Sequence, residues 1–413
     1  MPTKTEMSLK DVFATSGGAT VGVLAGLQVL DSVDGVMFVV FAPDIRAALG
    51  VSTATIGIVG ALAGVMVAVA ALPLGLLGDR RSRTKIAGAA TFVWAVAAAL
   101  LGLVHSLWQA VAIRIVAGAG KANEGPIQSS LLTDAYPAHG RGRILGLHRA
   151  GQPLGIVVGP LVAAAFAAAI PAQHEPWRWA FAFLAVPALL LGIAAYRLPE
   201  PPRRHATKMR GTFGKLRKIR TFTGVMVALA AFGVAVTTVP IYLTVILEEQ
   251  LGQGAAARGV ITSVCAAGGL AGAALGGLVS DRLFRRSPGA CLHLAAAALS
   301  LLGIGFAAQA YAPDVTTYVV IGVLTQAMTF ASIVPLSLVV ASVTPEEVRS
   351  TAFGLVGAVT AVIGGLGGAV LTGVAEKIVG AQAAVALVAP AAAVVAGLAL
   401  VRTAQHVRED VVR

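Results

Sequence analysis

The amino-acid sequence predicts an all-α polytopic membrane protein, with 12 transmembrane helices arranged as two pseudo-symmetric six-helix halves. Three observations predict it. The chain of 413 residues is 57% hydrophobic and 12% charged, where a soluble domain is roughly 25% charged, and its mean hydropathy is +0.84. Apolar runs of about 20 residues, long enough to cross a bilayer, recur along the whole length. A short charged motif that closes the second run returns after the eighth.

The runs cover 20–43, 54–77, 86–104, 107–134, 144–169, 177–197, 222–247, 256–281, 289–309, 315–342, 350–375 and 382–402. The first holds Asp31 and Asp34 and has no small-residue cleavage site after it, so it reads as a retained helix and not as a signal peptide. Residues 1–19 form a tail, in which 7–17, "MSLKDVFATSG", have the pattern of a short interfacial helix. The longest connection, 198–221, is Pro-rich and then strongly basic, and it separates a first six-helix bundle (20–197) from a second (222–402). Residues 403–413 form a second tail.

The net charge of +12 does not point to nucleic acid, because its distribution is topological. Arg46, Arg178, Arg258 and Lys377 fall on one side of the predicted bundle and Arg114, Lys121 and Arg149 within it; every other Lys and Arg lies on the side of the amino terminus. By the positive-inside rule both termini are cytoplasmic and the protein is a multi-pass component of the plasma (cytoplasmic) membrane. The linker charges are expected at the anionic lipid surface. Cys265 and Cys291 lie in apolar helices and read as packing residues, with no disulfide or metal, and no cofactor signature is present.

After the second run comes "GLLGDRRSRTK", with Gly75, Asp79, Arg80 and Arg83, and after the eighth comes "GLVSDRLFRR", with Gly277, Asp281 and Arg282. "YPAHGRGRILGL" at 136–147 similarly corresponds to "VTPEEVRSTAFGL" at 343–355. Glycine permits close helix approach, and a carboxylate at a helix end can hold a neighbouring helix N-terminus or an Arg. Two six-helix halves, each with this G-x-x-x-D-R loop, resemble the major facilitator superfamily. The resemblance implies a monomeric transporter in which the loop latches the halves, with Gly75, Asp79, Arg80, Arg83, Asp281 and Arg282 in gating.

Ionisable groups within spans are costly and mark function. They concentrate in the first half: Asp31 and Asp34 in span one, Arg114, Lys121 and Glu124 in span four, His148, Arg149 and Gln152 in span five. Asp31 and Asp34, like Lys121 and Glu124, are spaced i, i+3, and His148 and Gln152 are spaced i, i+4, so each pair shares one helix face. In the superfamily arrangement these spans line a central cavity, which implies one cluster of Asp31, Asp34, Arg114, Lys121, Glu124, His148 and Arg149. A purely structural salt-bridge network is the alternative, and Arg114 has the strongest case for it, as an anchor for the gating loop.

Span one reads Asp31-Ser32-Val33-Asp34-Gly35 followed by "APDI", and span four reads Arg114-Ile-Val-Ala-Gly118-Ala-Gly120-Lys121-Ala122 followed by Pro126. With the later pattern of Asp134, Pro137, Arg143, Gly151, Pro153 and Gly155, these stretches resemble the Spinster family of lipid transporters over residues 25–165. Asp134 and Arg143 join the gating set on that basis. The chain departs from the family at Asp31 (Asn there), Gly35 (Arg there) and Lys121 (Glu there), as if a cation and an anion had been exchanged between facing helices.

The resemblance implies a secondary transporter of a lysophospholipid or related single-chain amphipathic lipid, working by alternating access and coupled to protons. Two carboxylates a helical turn apart titrate as a pair, which supplies a proton site, and His148 is a second candidate. The alternative on the same fold is a proton-coupled exporter of drugs or small organic metabolites. An enzyme is not expected, since no acyltransferase, zinc-hydrolase, nucleophile-elbow or P-loop motif occurs; a non-transporting receptor predicts no substrate flux.

Overall fold

The structure is a computed structural model that describes Phe13 and residues 17–137, 140–202, 216–345 and 349–410. The interfacial helix expected over 7–17 and the basic core of the 198–221 linker lie almost wholly outside the described residues. Among the described residues the chain is helical throughout, with no strand.

Eleven helices among the described residues are long and apolar enough to cross a membrane. The remaining span, the fourth, is broken into Leu107–Lys121, a π-helical turn Glu124–Gln128 and Ser129–Ala135. Two features break it. Pro126 sits in the turn and has no N–H to give to an α-helical ladder, and Asn123 Nδ2 caps the Gly120 carbonyl at 2.8 Å. A side chain thus satisfies backbone that an unbroken helix would have satisfied, as the absence of water in a bilayer core demands. A second π turn, Thr360–Leu366, interrupts span eleven between Arg349–Val359 and Gly367–Val379.

Successive spans run antiparallel, so the loops fall at two ends. The linker end carries residues 81–82, 136–137, 140–141, 198–202, 216–219 and 287; the far end carries Ala42–Leu49 and the 102–106, 170–175, 250–254 and 311–314 connections. Small residues set the helix contacts. A Cβ at Gly118 would collide with the Ala63 carbonyl of span two, and one at Gly272 with the Ala327 carbonyl of span ten. Only glycine permits such approach, the usual device where lipid removes the hydrophobic incentive for helices to associate. Large apolar side chains such as Trp108 (71% exposed) and Ile378 (77% exposed) stand outward instead, where lipid would cover them.

Three apolar cores fill the bundle. One is built wholly from residues after 215, and one, around Trp94 and Tyr136, wholly from the first half. The third, at the far end around Phe38, Phe41, Trp177 and Phe181, also contains Ile241 from span seven. Among the described residues the halves share an apolar core at the far end only.

Candidate functional site

Asp34 is the hub of the buried charges. Its helix, Ala19–Val40, runs against span five, because Gly151, Gly155 and Gly159 have no Cβ to meet the span-one backbone. This turns Asp34 (1% exposed) towards span four. Lys121 Nζ donates to Asp34 Oδ2 at 2.6 Å, and Arg114 Nη1 donates to the same oxygen at 3.4 Å. Lys121 also lies 2.6 Å from Asp31 Oδ1 and donates to the Asp31 carbonyl at 3.3 Å. Aromatic faces back both cations: Phe38 lies 4.4 Å from the Arg114 guanidinium and Trp94 5.1 Å from the Lys121 ammonium, an attraction that strengthens away from water. Arg114 therefore pairs at mid-bundle and does not hold the gating loop.

The other members divide into two groups. Glu124 opens the π turn and pairs with the exposed Arg149 at 3.2 Å. With Asp31, Lys121, Gln28 and Trp94 it lines a cavity of about 10 Å³, close to the smallest space that holds one water. His148 is fully buried and turned elsewhere. Its Nε2 is 3.1 Å from Gln128 Oε1, and Gln128 Nε2 donates to Asn123 Oδ1 at 2.9 Å. The expected single cluster is thus a four-residue knot, an ion pair beside it and a separate His148–Gln128–Asn123 chain that braces the break in span four. Gln152 is exposed and joins none of them.

The predicted gating residues sit at the linker end. Arg83 opens span three, with Ser82 as N-cap, and pairs with Asp134 at 2.6 Å and with Glu200 at 2.9 Å. All three belong to the first half or its immediate exit, so this latch ties spans three, four and six together and does not bridge the halves. Asp79, Arg80, Arg143, Asp281 and Arg282 are exposed at the same end. Gly75 faces Pro126, while the tighter approach is at Gly78, where a Cβ would meet Ile127.

Glu200 was legible only as a linker residue, yet it accepts from Ser82 Oγ, the Thr84 amide, Thr84 Oγ1 and Arg83 Nε. Burial works against its charge, but those donors outweigh it and hold the carboxyl below the usual carboxylate range. The stability it contributes is therefore present above that range and is lost as pH falls through the depressed value. Glu200→Ala is expected to cost about 1.5 kcal/mol, the low end for charge-assisted hydrogen bonds, and to flatten the acid limb of a plot of melting temperature against pH.

Sequence reasoning also missed the closure of the far end. Arg258 of span eight, 1% exposed, pairs with Asp44 of the first half and with Glu248 at 3.1 Å, and donates to the Val40 carbonyl at 3.3 Å. Arg46 pairs with Glu249 at 2.7 Å, and Thr244 Oγ1 donates to the Val39 carbonyl at 2.9 Å. Each contact except Arg258–Glu248 joins the two halves. The available signal was an Asp-x-Arg step in one far-end connection and Glu-Glu with Arg in another.

A family model for the Major Facilitator Superfamily matches residues 24–367. Similar curated proteins include a probable L-galactonate transporter of Escherichia coli (strain K12), 31% identical over 154 residues. A probable 4-methylmuconolactone transporter of Cupriavidus pinatubonensis is 26% identical over 265 residues. These matches cover 37% and 62% of this chain, and the chain spans only 33% and 61% of those relatives' lengths. Among solved structures, an inward-facing, unoccupied bacterial homolog of the human lysosomal transporter Spinster superposes with a TM-score of 0.82 at 19% identity, over 95% of this chain and 98% of that one. A D-xylose–proton symporter superposes with a TM-score of 0.70 at 17% identity, covering 95% and 98%. At these identities the likeness is one of fold, and it agrees with the helical architecture of the described residues. The chain belongs to the Major Facilitator Superfamily and is a multi-pass membrane protein of that fold.

Proposed function

We propose that this protein is a secondary transporter that works by alternating access in the cytoplasmic membrane, with both termini cytoplasmic and the six-helix halves 20–197 and 222–402 as the rocking units. Its substrate is a single-chain amphiphile with a charged headgroup, a lysophospholipid or a close relative, and its coupling ion is the proton. One observation carries this reading: a charge-balanced knot of Asp31, Asp34, Arg114 and Lys121 is buried in the first half, while the core of the second half is apolar. A zwitterionic headgroup finds both signs of charge on one side, and its chain finds hydrocarbon on the other.

Asp31 and Glu124 are the proposed proton carriers. Asp34 pairs with both Arg114 and Lys121, whereas the Asp31 side chain is 30% exposed and has only its share of Lys121, and Glu124 pairs with the exposed Arg149. A substrate amine that draws Asp31 away from Lys121 competes directly with a proton for that carboxylate. The far-end ion pairs close one side, so substrate is exchanged with the linker side in this conformation.

The names of the relatives favour a second reading, proton-coupled movement of small organic acids. Proteoliposome uptake of lysophosphatidylethanolamine, L-galactonate and 4-methylmuconolactone, each with and without a pH gradient, separates the two. Lysolipid flux that rises with the gradient supports the first reading; flux of the acids alone replaces it with the second. No flux of any of them would sink both.

A further inference from the structure

On the outer face of the first half, away from the charged knot, a groove of about 620 Å³ runs between spans two, three, four and six. Its walls are apolar, among them Leu77, Val93, Ala89 and Ala119, and Leu77, Val93 and Ala89 are exposed on the flank of the bundle. Its charge is confined to one end, where Arg81 and Lys85 line it at the linker end. Lys85 carries no ion pair among the described residues, since the neighbouring carboxylates Asp134 and Glu200 are both taken by Arg83.

The dimensions match half a bilayer. From Lys85 to Val93 is two turns of helix, about 12 Å at 1.5 Å per residue, against roughly 15 Å for one leaflet of a 30 Å hydrocarbon core. Cations at one end and hydrocarbon along one leaflet's depth are complementary to a single kind of occupant. We propose that this groove binds one anionic phospholipid of the surrounding bilayer, its phosphate against Lys85 and Arg81 and one acyl chain along Leu77, Val93 and Ala119. The site is separate from the proposed transport site and does not depend on it. It nevertheless touches the same machinery: Ala119 and Gly120 line the groove immediately before Lys121. An occupying chain braces span four from behind, just before its break.

The test is native mass spectrometry of the full chain in detergent, titrated with dioleoylphosphatidylglycerol, dioleoylphosphatidylcholine or inorganic phosphate. The wild type is expected to retain one phosphatidylglycerol in preference to phosphatidylcholine. Lys85→Ala is expected to weaken that retention about fivefold, the worth of roughly 1 kcal/mol per basic residue at a lipid surface. Ala89→Trp, at an exposed position where the ring fills the groove without disturbing the core, is expected to abolish it. Melting temperatures in phosphatidylcholine alone check that both variants fold. Equal retention by wild type and both folded variants overturns the proposal. So does competition by inorganic phosphate as effective as by lipid, or a dimer mass that appears as lipid is lost, since the occupant is then a free anion or a second copy of the chain.

Discussion

Asp34→Asn is expected to stop transport and to destabilise the protein by about 3–5 kcal/mol, the cost of breaking a buried ion pair by removing one partner. The substitution is nearly isosteric, so the effect is electrostatic. Arg114 and Lys121 remain buried, with Asp31 as the one carboxylate still paired with Lys121 and with no carboxylate partner for Arg114 among the described residues. Lys121→Gln in the same background is expected to recover part of the lost stability and none of the flux. The pair of losses is then non-additive, as expected for groups in direct contact. Thermal unfolding in detergent and proteoliposome uptake, measured on the single and double variants, check both halves of the statement. Flux within twofold of wild type in Asp34→Asn would remove Asp34 from the transport site.

The second large effect is expected at the far end. Arg258→Ala leaves Asp44 and Glu248 close together without their shared cation, and the halves are then held there by the Arg46–Glu249 pair, the Thr244 hydrogen bond and the shared apolar core. If half of the roughly 3–5 kcal/mol of a broken buried pair biases the conformational equilibrium, the far-end-open population rises more than tenfold, since 1.4 kcal/mol is a factor of ten. Ala255, which packs from the second half against the far-end core, reports this. Ala255→Cys, with Cys265 and Cys291 replaced by Ser, is expected to react with an impermeant maleimide at least tenfold faster when Arg258 is Ala. An unchanged rate overturns the gate.

The same gate has a pH dependence with a definite sign. Burial, reinforced by Glu248 and only partly offset by Arg258, pushes the Asp44 carboxyl above the usual carboxylate range while the gate is closed. Once the gate opens, water returns Asp44 to that range. The closed state therefore binds the extra proton, so acidification through the window between the two values favours closure and alkalinisation favours opening. The Ala255→Cys labelling rate, normalised to that of denatured protein, is expected to rise with pH across this window and to become flat in Asp44→Asn.

The stretch from 107 to 134 shows how far hydropathy reads. Its apolar character and its four charges were legible, but it is not the single unbroken helix expected. The break after Lys121 was signalled by Pro126, but its π form needed the Asn123–Gln128–His148 chain, whose members are up to 25 residues apart in sequence. His148 was read with the acids because the superfamily arrangement places span five beside the cavity; the packing of span five on span one buries it inside the first half and leaves Gln152 exposed. Arg83 was read as a latch between halves from a repeated loop, and the structure gives it partners in its own half because the chain leaving span six carries Glu200 back to the start of span three.

What the sequence by itself determined is local and additive: which segments cross the membrane, that two halves repeat one plan, and which charges are too costly to be incidental. Each follows from the transfer energy of a segment, which depends little on its neighbours. What only the tertiary structure decided is pairing. Lys121 lies 87 residues from Asp34, Arg258 lies 214 from Asp44, and both contacts depend on the rotation of helices about their axes. That rotation is set by where glycines let one backbone settle against another, and a far-end contact also depends on which way the halves are tilted. Neither quantity is carried by hydropathy or by spacing along a single helix.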